Sequence, residues 1–344
     1  MIRVDIGAMV LCLLCSSGCG GRAVDLDRPA PAASGGTSSD LVLPSSAKPL
    51  VGVWTDAERL YWHEEYGILQ SCLKADCPNS TITYRSDPNG WLSPTVAETH
   101  VYWLSALSIY SCANKGCANK PVEVTIDPDI LSAVSGHRDY VYWSSAYDIY
   151  RCPAAGCAAT PEVVSRDTHA DRLVFDEQRA YWLAPGGSVM SAPLDGSKPP
   201  EFVTASQVVT LYDPTAFAIG NGYLYWAVEQ QVFRCPLASC ASSSTTRLTT
   251  GNAPIRELQV DDSGVYWREA DAIHSCPLSG CEHSTTLTPA RVAQLSIWRV
   301  DNGPQSDEPS FALDQSYVYW LETSDPDPAN PTPYAGKAIR KTPK

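Results

Sequence analysis

The dipeptide Tyr-Trp recurs seven times in this chain, and its spacing constrains the fold more than any other feature. The Trp residues of the seven copies are Trp62, Trp103, Trp143, Trp182, Trp226, Trp267 and Trp320. Successive Trp residues are 41, 40, 39, 44, 41 and 53 positions apart. A repeat near forty residues means that one supersecondary unit recurs along the chain. We therefore expect seven related units, numbered one to seven in chain order.

Each unit is predicted to be a meander of four short strands. In the fourth unit, apolar runs cover residues 173–175, 180–183, 188–191 and 201–204, and turn-forming residues separate them. This pattern is typical of antiparallel strands joined by tight turns. The Tyr-Trp dipeptide falls in the second run of every unit. The residues of that strand therefore best indicate whether the two faces of the sheet are buried or exposed.

The second strand indicates that both faces of each sheet are covered. In Val265-Tyr266-Trp267, successive side chains point to opposite faces of the strand, and all three are large. In a sandwich with one solvent-exposed face, the strands would alternate apolar and polar residues instead. Four-stranded sheets stacked radially, each between two neighbours, fit the pattern. The predicted fold is all-β, a β-propeller of seven blades, with six or eight blades as alternatives.

The thirteen Cys residues divide into three near the N-terminus and ten that share one spacing. Cys12, Cys15 and Cys19 precede the repeats. The ten form five Cys-x4-Cys pairs, namely Cys72/Cys77, Cys112/Cys117, Cys152/Cys157, Cys235/Cys240 and Cys276/Cys281. The fourth unit has Ala192 and Ser197 there, so both Cys are lost together, as expected of partners in one disulfide. Metal binding is the alternative, but metal sites usually join two such pairs. The five disulfides are expected to lie toward the rim and to stiffen hairpins locally.

The ring must be closed, because open sheet edges promote aggregation. The seventh unit ends after its third strand, near residues 338–340. We expect the short apolar segment Leu41-Val42-Leu43 to supply the missing fourth strand and clasp the ring.

The N-terminal segment has the character of an export signal. Residues 1–18 are predicted to be a signal peptide, because a short apolar stretch follows Arg3 and is too brief to span a bilayer. Ser16-Ser17-Gly18-Cys19 resembles a bacterial lipobox, which implies lipidation at Cys19, and Gly20 implies the outer membrane. An ordinary signal peptide is the alternative. Residues 19–48 are predicted to be a Gly/Ala/Ser/Pro tether, and 49–344 a single propeller domain.

The repeat resembles that of the YWTD propellers and, more broadly, bacterial TolB-type and NHL-type propellers. The whole chain is similar to uncharacterised bacterial propeller lipoproteins. Only Tyr-Trp matches the YWTD motif; the Thr-Asp half that ties neighbouring blades in that family is absent. Receptor-type ligand binding is therefore not implied. YWTD propellers have six blades, one fewer than the count here.

Signals of chemistry are few. The six His residues show no metal-ligand spacing, and no Gly-x-Ser-x-Gly motif is present. Asp56, Asp176, Asp261 and Asp314 each lie six residues before a repeat Trp, where an Asp is expected to bond its own turn. Trp54, Trp91 and Trp298 lie outside the dipeptides and could line a pocket, although Trp54 and Trp298 fit the core better. We therefore assign no catalytic, cofactor or metal residue.

The charge pattern narrows the partners. The formal net charge is -13, which argues against nucleic acid and anionic membranes and favours neutral or cationic partners. An acidic face is expected from Glu64, Glu65, Glu229, Glu269, Asp271, Asp325 and Asp327, with Asp127 and Asp129 in a connection. The predicted function is an extracytoplasmic, lipid-anchored module that binds an envelope protein or an extracellular ligand. A propeller hydrolase or lyase with a dispersed site is the alternative.

Overall fold

Seven four-stranded antiparallel sheets make up the fold of the computed structural model. The structure describes residues 40–43, 46, 48–65, 67–86, 94–105, 107–118, 120–126, 131–145, 147–157, 160–168, 170, 172–184, 188–204, 216–240, 242–281, 284–288, 291–293, 308–323 and 336–344. These residues belong to one unit of the chain, Thr37–Lys344. Each sheet contains one Tyr-Trp dipeptide in its second strand, which confirms the seven-bladed β-propeller.

Within each blade, the strands are arranged in chain order from the central axis to the outer edge. The first strand of the chain, β1 (Asp40–Leu43), is the exception. Blade one contains β2 (Leu50–Thr55), β3 (Arg59–Glu64), β4 (Ile68–Leu73) and β5 (Ile82–Ser86). Blade two contains β6 (Thr95–Val96), β7 (His100–Ser105), β8 (Ser108–Ala113) and β9 (Val122–Ile126). Blade three contains β10 (Leu131–His137), β11 (Tyr140–Ser145), β12 (Asp148–Pro153) and β13 (Glu162–Ser165).

The remaining blades follow the same order. Blade four contains β14 (Leu173–Phe175), β15 (Arg179–Leu183), β16 (Val189–Pro193) and β17 (Glu201–Phe202). Blade five contains β18 (Phe217–Gly220), β19 (Tyr223–Val228), β20 (Gln231–Pro236) and β21 (Thr246–Thr250), with short 3-10 helices at Leu237–Ser239 and Ser242–Ser244. Blade six contains β22 (Ile255–Val260), β23 (Val265–Glu269), β24 (Ala272–Cys276) and β25 (Thr285–Thr286). Blade seven contains β26 (Phe311–Leu313), β27 (Tyr317–Glu322) and β28 (Ala338–Pro343).

The N-terminal strand β1 completes blade seven. It pairs antiparallel with β28, so that Asp40 lies opposite Lys341 and Leu43 opposite Ile339. The strand order of this sheet is β1-β28-β27-β26, which makes β1 the outermost strand. The predicted clasp is therefore confirmed. The segment 19–48, predicted to be a tether, thus includes a strand of the propeller.

The first strands of neighbouring blades contact one another, which places them around the central axis. The turns between first and second strands lie at the same end of the ring as the loops between third and fourth strands. We call this end the turn face. The opposite end, with the second-to-third strand turns and the links between blades, is called the connection face.

The Tyr-Trp dipeptides join neighbouring blades. Each of the seven apolar cores contains the Tyr of one blade and the Trp of the next. The pairs are Tyr61 with Trp103, Tyr102 with Trp143, Tyr142 with Trp182, Tyr181 with Trp226, Tyr225 with Trp267, Tyr266 with Trp320, and Tyr319 with Trp62. None of the seven Trp residues is more than 6% exposed. One dipeptide therefore packs in two directions, because its side chains point to opposite faces of the strand.

Disulfide bonds join the five Cys pairs, each across a third-to-fourth strand loop that we call a staple loop. The bonds link Cys72 to Cys77, Cys112 to Cys117, Cys152 to Cys157, Cys235 to Cys240, and Cys276 to Cys281. The Cα atoms of the paired residues are 5.2 to 5.8 Å apart. The five predicted disulfides are therefore present, and the alternative of metal-binding thiolates does not apply to these ten residues.

The disulfides lie toward the outer edge of each blade, as expected, but they are also buried between blades. The first Cys of each pair is buried in the apolar core that also holds the Trp of its own blade. The second is half-buried and packs against the same core; these residues are Cys77, Cys117, Cys157, Cys240 and Cys281. The reason is the register: Cys112, for example, lies opposite Val101, which faces the same side of its strand as Trp103. The disulfides thus contribute to the contacts between blades as well as to their own hairpins.

Blade four keeps the staple-loop shape without the bond. Its equivalent loop has Gly196 at φ 65°, the position that holds Gly156 at φ 104° in blade three. Glycine tolerates this backbone conformation, so the turn does not depend on the disulfide.

Candidate functional site

The four repeated Asp residues are structural groups of the turn face. One carboxylate oxygen of Asp56 accepts the backbone N–H groups of Glu58 and Arg59 at 2.8 and 2.6 Å, and the other accepts the Tyr61 hydroxyl at 2.5 Å. Asp176 bonds its own turn in the same way and also accepts from Tyr181. The prediction that Asp closes its own turn is confirmed, and its bond to the repeat Tyr is an addition.

Asp261 and Asp314 repeat this pattern with one difference. Asp314 accepts two backbone N–H groups of its turn and the Tyr319 hydroxyl at 3.0 Å. Asp261 accepts the Ser263 hydroxyl, and Ser263 in turn is 2.7 Å from the Tyr266 hydroxyl. Each repeat Asp therefore fixes the turn and, directly or through one hydroxyl, the Tyr of its own blade.

A second position of the repeat, missed in the sequence, reaches these Asp residues from the next blade. It is the second residue of the staple loop. Asn114 of blade two donates to Asp56 at 2.9 Å, and Lys74 of blade one donates to Asp314 at 2.8 Å. Lys344, the equivalent residue of blade seven, bonds Asp261. Three of the four repeat Asp residues thus receive a polar side chain from the following blade.

A signal for this contact exists in the sequence. A polar residue occurs two positions after the first Cys, or its equivalent, when the preceding blade carries the turn Asp. Ala154, Leu194 and Leu278 occupy the position after blades that lack it. Leu237, which follows the Asp176 blade, is the exception. Aligning the units by staple loop as well as by Tyr-Trp would have exposed the pattern.

A third repeat position lies directly opposite the repeat Tyr on the third strand and holds Arg in two blades. In blades three and five, Arg151 and Arg234 lie over the rings of Tyr140 and Tyr223 at 4.7 and 4.8 Å from the centroid. Arg151 also donates to the carbonyl of Leu194 at 2.8 Å, and Arg234 donates to that of Leu278. At these two junctions, the Arg therefore bridges to the staple-loop Leu of the following blade.

The junction between blades seven and one has different residues at both positions and contains an open cleft. Lys341 replaces the Arg and lies 4.5 Å from the Tyr317 ring centroid, while Lys74 replaces the Leu. The cleft encloses about 570 Å³ and is lined by turns of both blades. Its floor is held together by a hydrogen bond of 2.7 Å from the Thr55 hydroxyl to the Leu313 carbonyl. This cleft is the candidate binding site.

Charges in the cleft are organised around Asp314. Burial raises the pKa of the Asp314 carboxyl, but the hydrogen bonds from Lys74 and from the backbone of Ser316 and Tyr317 outweigh it, so the pKa lies below its ordinary value. Burial, with the charge and hydrogen bond of Asp314, raises the pKa of the Tyr319 hydroxyl. At neutral pH Asp314 is therefore ionised and Tyr319 is neutral, and Lys74 and Lys341 line the same site.

Some carboxylates near the predicted acidic face are already bonded to other groups of the protein. Glu269 is buried and accepts the backbone N–H groups of Asn252 and Ala253. Glu322 is 2.6 Å from the Arg340 guanidinium. Asp127, Asp129, Asp325 and Asp327 lie outside the described residues. Within the described ranges, no group of three or more His, Cys, Asp or Glu residues could hold a metal ion.

Two buried polar contacts join blades on the connection face. His63 Nδ1 is 2.7 Å from the Glu308 carboxylate, which lies just before the innermost strand of blade seven. Glu257, on the innermost strand of blade six, accepts the backbone N–H and hydroxyl of Ser310 at 3.0 and 2.6 Å. A His–carboxylate pair suits a general base, but His63 Nε2 is enclosed by protein. The geometry instead identifies both contacts as inter-blade bonds.

The other predicted residues divide by location. Trp54 is half-buried and packs against the core shared by blades one and two. Cys19, Trp91, Trp298, His169 and His283 lie outside the described residues. Among the helices of the described part, none is long and apolar enough to cross a membrane.

Comparison with known proteins identifies the fold and not a family. No protein-family model matches the chain, and no curated protein matches it. YCF48 from Cyanidioschyzon merolae superposes with a TM-score of 0.58 at 10% identity, over 88% of this chain and 98% of that chain. YCF48 bound to D1 peptide gives 0.58 and 10%, over 89% and 96%. The WD40 β-propeller domain of Doa1 gives 0.55 and 10%, over 89% and 96%.

Proposed function

We propose that this chain is an extracytoplasmic, lipid-anchored β-propeller that binds another protein through the turn face at the junction of blades seven and one. The observation that carries the proposal is the cleft between these blades. This junction has the same Tyr–Trp core as the others, and beside it Lys74 and Lys341 help to line a cleft of about 570 Å³. An open, polar cleft on a rigid ring suits recognition of a protein segment.

Several observations support the extracytoplasmic location. Five disulfides in one chain are typical of an oxidising compartment, because cytosolic thiols are kept reduced. Residues 1–18 have the features of a signal peptide, and Cys19 follows a lipobox-like sequence. In the proposal, residues between Cys19 and the clasp strand tether the propeller to the membrane, and Gly20 directs it to the outer membrane. The similarity to bacterial propeller lipoproteins, including the TolB-type repeat, belongs to this proposal.

A solved propeller supports the binding mode. YCF48, which shares the fold, has been solved bound to D1 peptide. That protein is only 10% identical to this chain, so the likeness supports peptide binding as a use of the fold without indicating the partner. The alternative, a propeller hydrolase or lyase, would need reactive groups that substrate can reach.

The lipid anchor is tested by metabolic labelling. The full chain, expressed in a bacterium with labelled palmitate, should incorporate the label. Cys19→Ser should abolish the incorporation, whereas Cys15→Ser should leave it unchanged because that residue leaves with the signal peptide. An unlabelled wild-type chain would contradict the anchor.

The binding function is tested by site-specific photo-crosslinking in intact cells. Gln315 lies in the cleft and is exposed, and Glu177 occupies the same turn position in blade four. A crosslinking residue at position 315 should give a discrete protein adduct, while the same residue at position 177 should not. Equal adducts at both positions, or none at position 315, would refute binding at this cleft.

A further inference from the structure

The carboxylates of the cleft are fully engaged by the protein. Asp314 accepts two backbone N–H groups, the Tyr319 hydroxyl and the Lys74 ammonium. Asp56 likewise accepts two backbone N–H groups, the Tyr61 hydroxyl and the Asn114 amide. A carboxylate has about four lone-pair positions, so neither group retains capacity for a ligand donor. A cationic ligand would therefore find no vacant acceptor on either side chain.

The cations of the cleft, by contrast, retain donors. Lys74 uses two of its three N–H bonds, toward the Asp314 carboxylate and the Asp56 carbonyl at 2.8 and 2.6 Å. Lys341 lies over the Tyr317 ring and has no hydrogen-bond acceptor among the described residues. Asp40 lies opposite Lys341 in the sheet, but within the described part of the chain no ion pair joins the two. The unused capacity of the cleft is therefore for hydrogen-bond donation from positive groups.

The two other blades that carry a cation at this position use it for a bond to the next blade. Arg151 and Arg234, which occupy the position of Lys341, each donate to a staple-loop carbonyl of the next blade. Lys341 faces a blade whose staple loop presents Lys74 instead of Leu. The two ammonium groups thus lie near two adjacent rings: Lys341 is 4.5 Å from the Tyr317 centroid, Lys74 is 5.6 Å from that of Tyr319, and the two centroids are 6.2 Å apart.

We propose that the cleft between blades seven and one binds a carboxylate presented by a peptide segment of the partner protein, with Lys341 as the principal contact and Lys74 as the second. This inference rests on the proposed binding function and adds its ligand chemistry. It also departs from the expectation from net charge, because the hydrogen-bond donors left over in the cleft are Lys side chains, although its two Asp and two Lys residues balance in formal charge. The carboxylate can come from an Asp or Glu side chain or from a chain terminus.

The test is a binding titration of the full chain with short fluorescent peptides. One peptide contains a central run of Glu residues and an amidated C-terminus, a second replaces Glu by Gln, and a third has the Gln sequence with a free C-terminal carboxylate. Binding of the first alone assigns the site to acidic side chains, and binding of the third alone assigns it to a chain terminus. The Gln peptide with an amidated end should bind neither wild type nor variants.

Variants then locate the contact. Lys341→Gln should weaken binding about fivefold, the loss expected for one half-exposed ion pair, and Lys341→Arg should retain it. Lys198→Gln, an exposed Lys in the staple-loop turn of blade four, should have no effect. Asp40→Asn should strengthen binding, because it removes a negative charge opposite Lys341. Higher salt should weaken the wild-type interaction.

The outcomes separate this inference from the proposed function. If position 315 crosslinks a protein but no carboxylate peptide binds, the ligand chemistry is wrong and the binding function stands. If carboxylate peptides bind equally well to Lys341→Gln and wild type, the cleft is not their site. If position 315 gives no adduct, the proposed function fails first. A melting temperature of Lys341→Gln close to that of wild type shows that the variant is folded.

Discussion

The closing junction of the ring and the fourth blade share their apolar packing but differ in almost every polar contact. At the junction of blades seven and one, the Tyr319–Trp62 core is joined by the β1 clasp, the Lys74–Asp314 pair and the His63–Glu308 contact. Blade four has no disulfide, and its outermost strand is the two-residue β17. Its Tyr181 meets Trp226 in a core against which Leu237 packs.

The comparison distinguishes the contacts that all blades share from the contacts that vary between blades. The Tyr–Trp core is common to all seven junctions, so it determines the ring. The turn and staple-loop positions around it vary, and the closing junction has both extra bonds and an open cleft lined by such positions. Binding specificity in this molecule is therefore expected from the variable positions and not from the repeated dipeptide.

The largest difference should appear on removing the clasp. Deleting residues 38–48 removes β1, leaves β28 as an open edge and should lower the melting temperature by roughly 10 °C. Deleting residues 21–31, which precede the clasp, provides a length-matched control and should leave it unchanged. Calorimetry measures both. A clasp deletion that melts like the control would show that β1 does not close the ring.

Loss of a core Trp should destabilise the protein equally in both regions. Trp62→Ala at the closing junction and Trp226→Ala beside blade four should each cost ~3–5 kcal/mol in the free energy of unfolding, because both remove a buried indole. Urea denaturation measures the two values. A cost below about 1 kcal/mol at either site would contradict the common packing rule.

The disulfide of blade one can be removed, and an equivalent disulfide can be introduced into blade four. Replacing Cys72 and Cys77 with Ala should cost ~2 kcal/mol, the value expected for closing so short a loop. Introducing Cys at Ala192 and Ser197 should give blade four a bond and a gain of similar size, since the turn at Gly196 is retained. Non-reducing mass analysis verifies bond formation, and a lower unfolding free energy in the bonded variant would mean that the turn geometry differs.

The smallest effect concerns pH. The pKa values of Asp314 and Asp261 lie below the ordinary 3.8: burial raises each, but hydrogen bonds, chiefly from Lys74 and Lys344, outweigh it. The folded chain then binds fewer protons than the unfolded chain near and below pH 3.8, so their stabilisation is present above that pH and is lost as pH falls through the lower folded values. Melting temperatures across pH 2 to 5 should fall less steeply for Asp314→Asn than for wild type. Parallel curves would refute this assignment.

The repeat-level features could be predicted from the sequence because they recur. Seven Tyr-Trp copies indicated the blades, five matching Cys pairs indicated the staples, and the missing strand of the last unit indicated the clasp. The cleft could not be predicted in this way, because it depends on two residues from units at opposite ends of the chain. In the sequence Lys74 and Lys341 look like ordinary surface residues, and only ring closure brings them into one cleft.

The acidic-face prediction shows the other limit of sequence reasoning. Net charge gives no information on which carboxylates are already hydrogen-bonded. Glu269, for example, is buried and accepts the backbone N–H groups of Asn252 and Ala253. No motif in the sequence marks Glu257 or Glu308. They become recognisable only when Ser310 and His63 are brought in from other strands.

One packing rule holds all seven junctions while polar contacts differ among them, and native-state hydrogen exchange can distinguish the two kinds of contact. Amides of the seven Tyr-Trp strands should exchange only through global unfolding, at one common free energy. The β28 amides paired with β1 should be protected, and the outermost strand of blade four should exchange early. If the Tyr-Trp strands open at clearly different free energies, with β15 opening well before β3, the common packing rule is wrong.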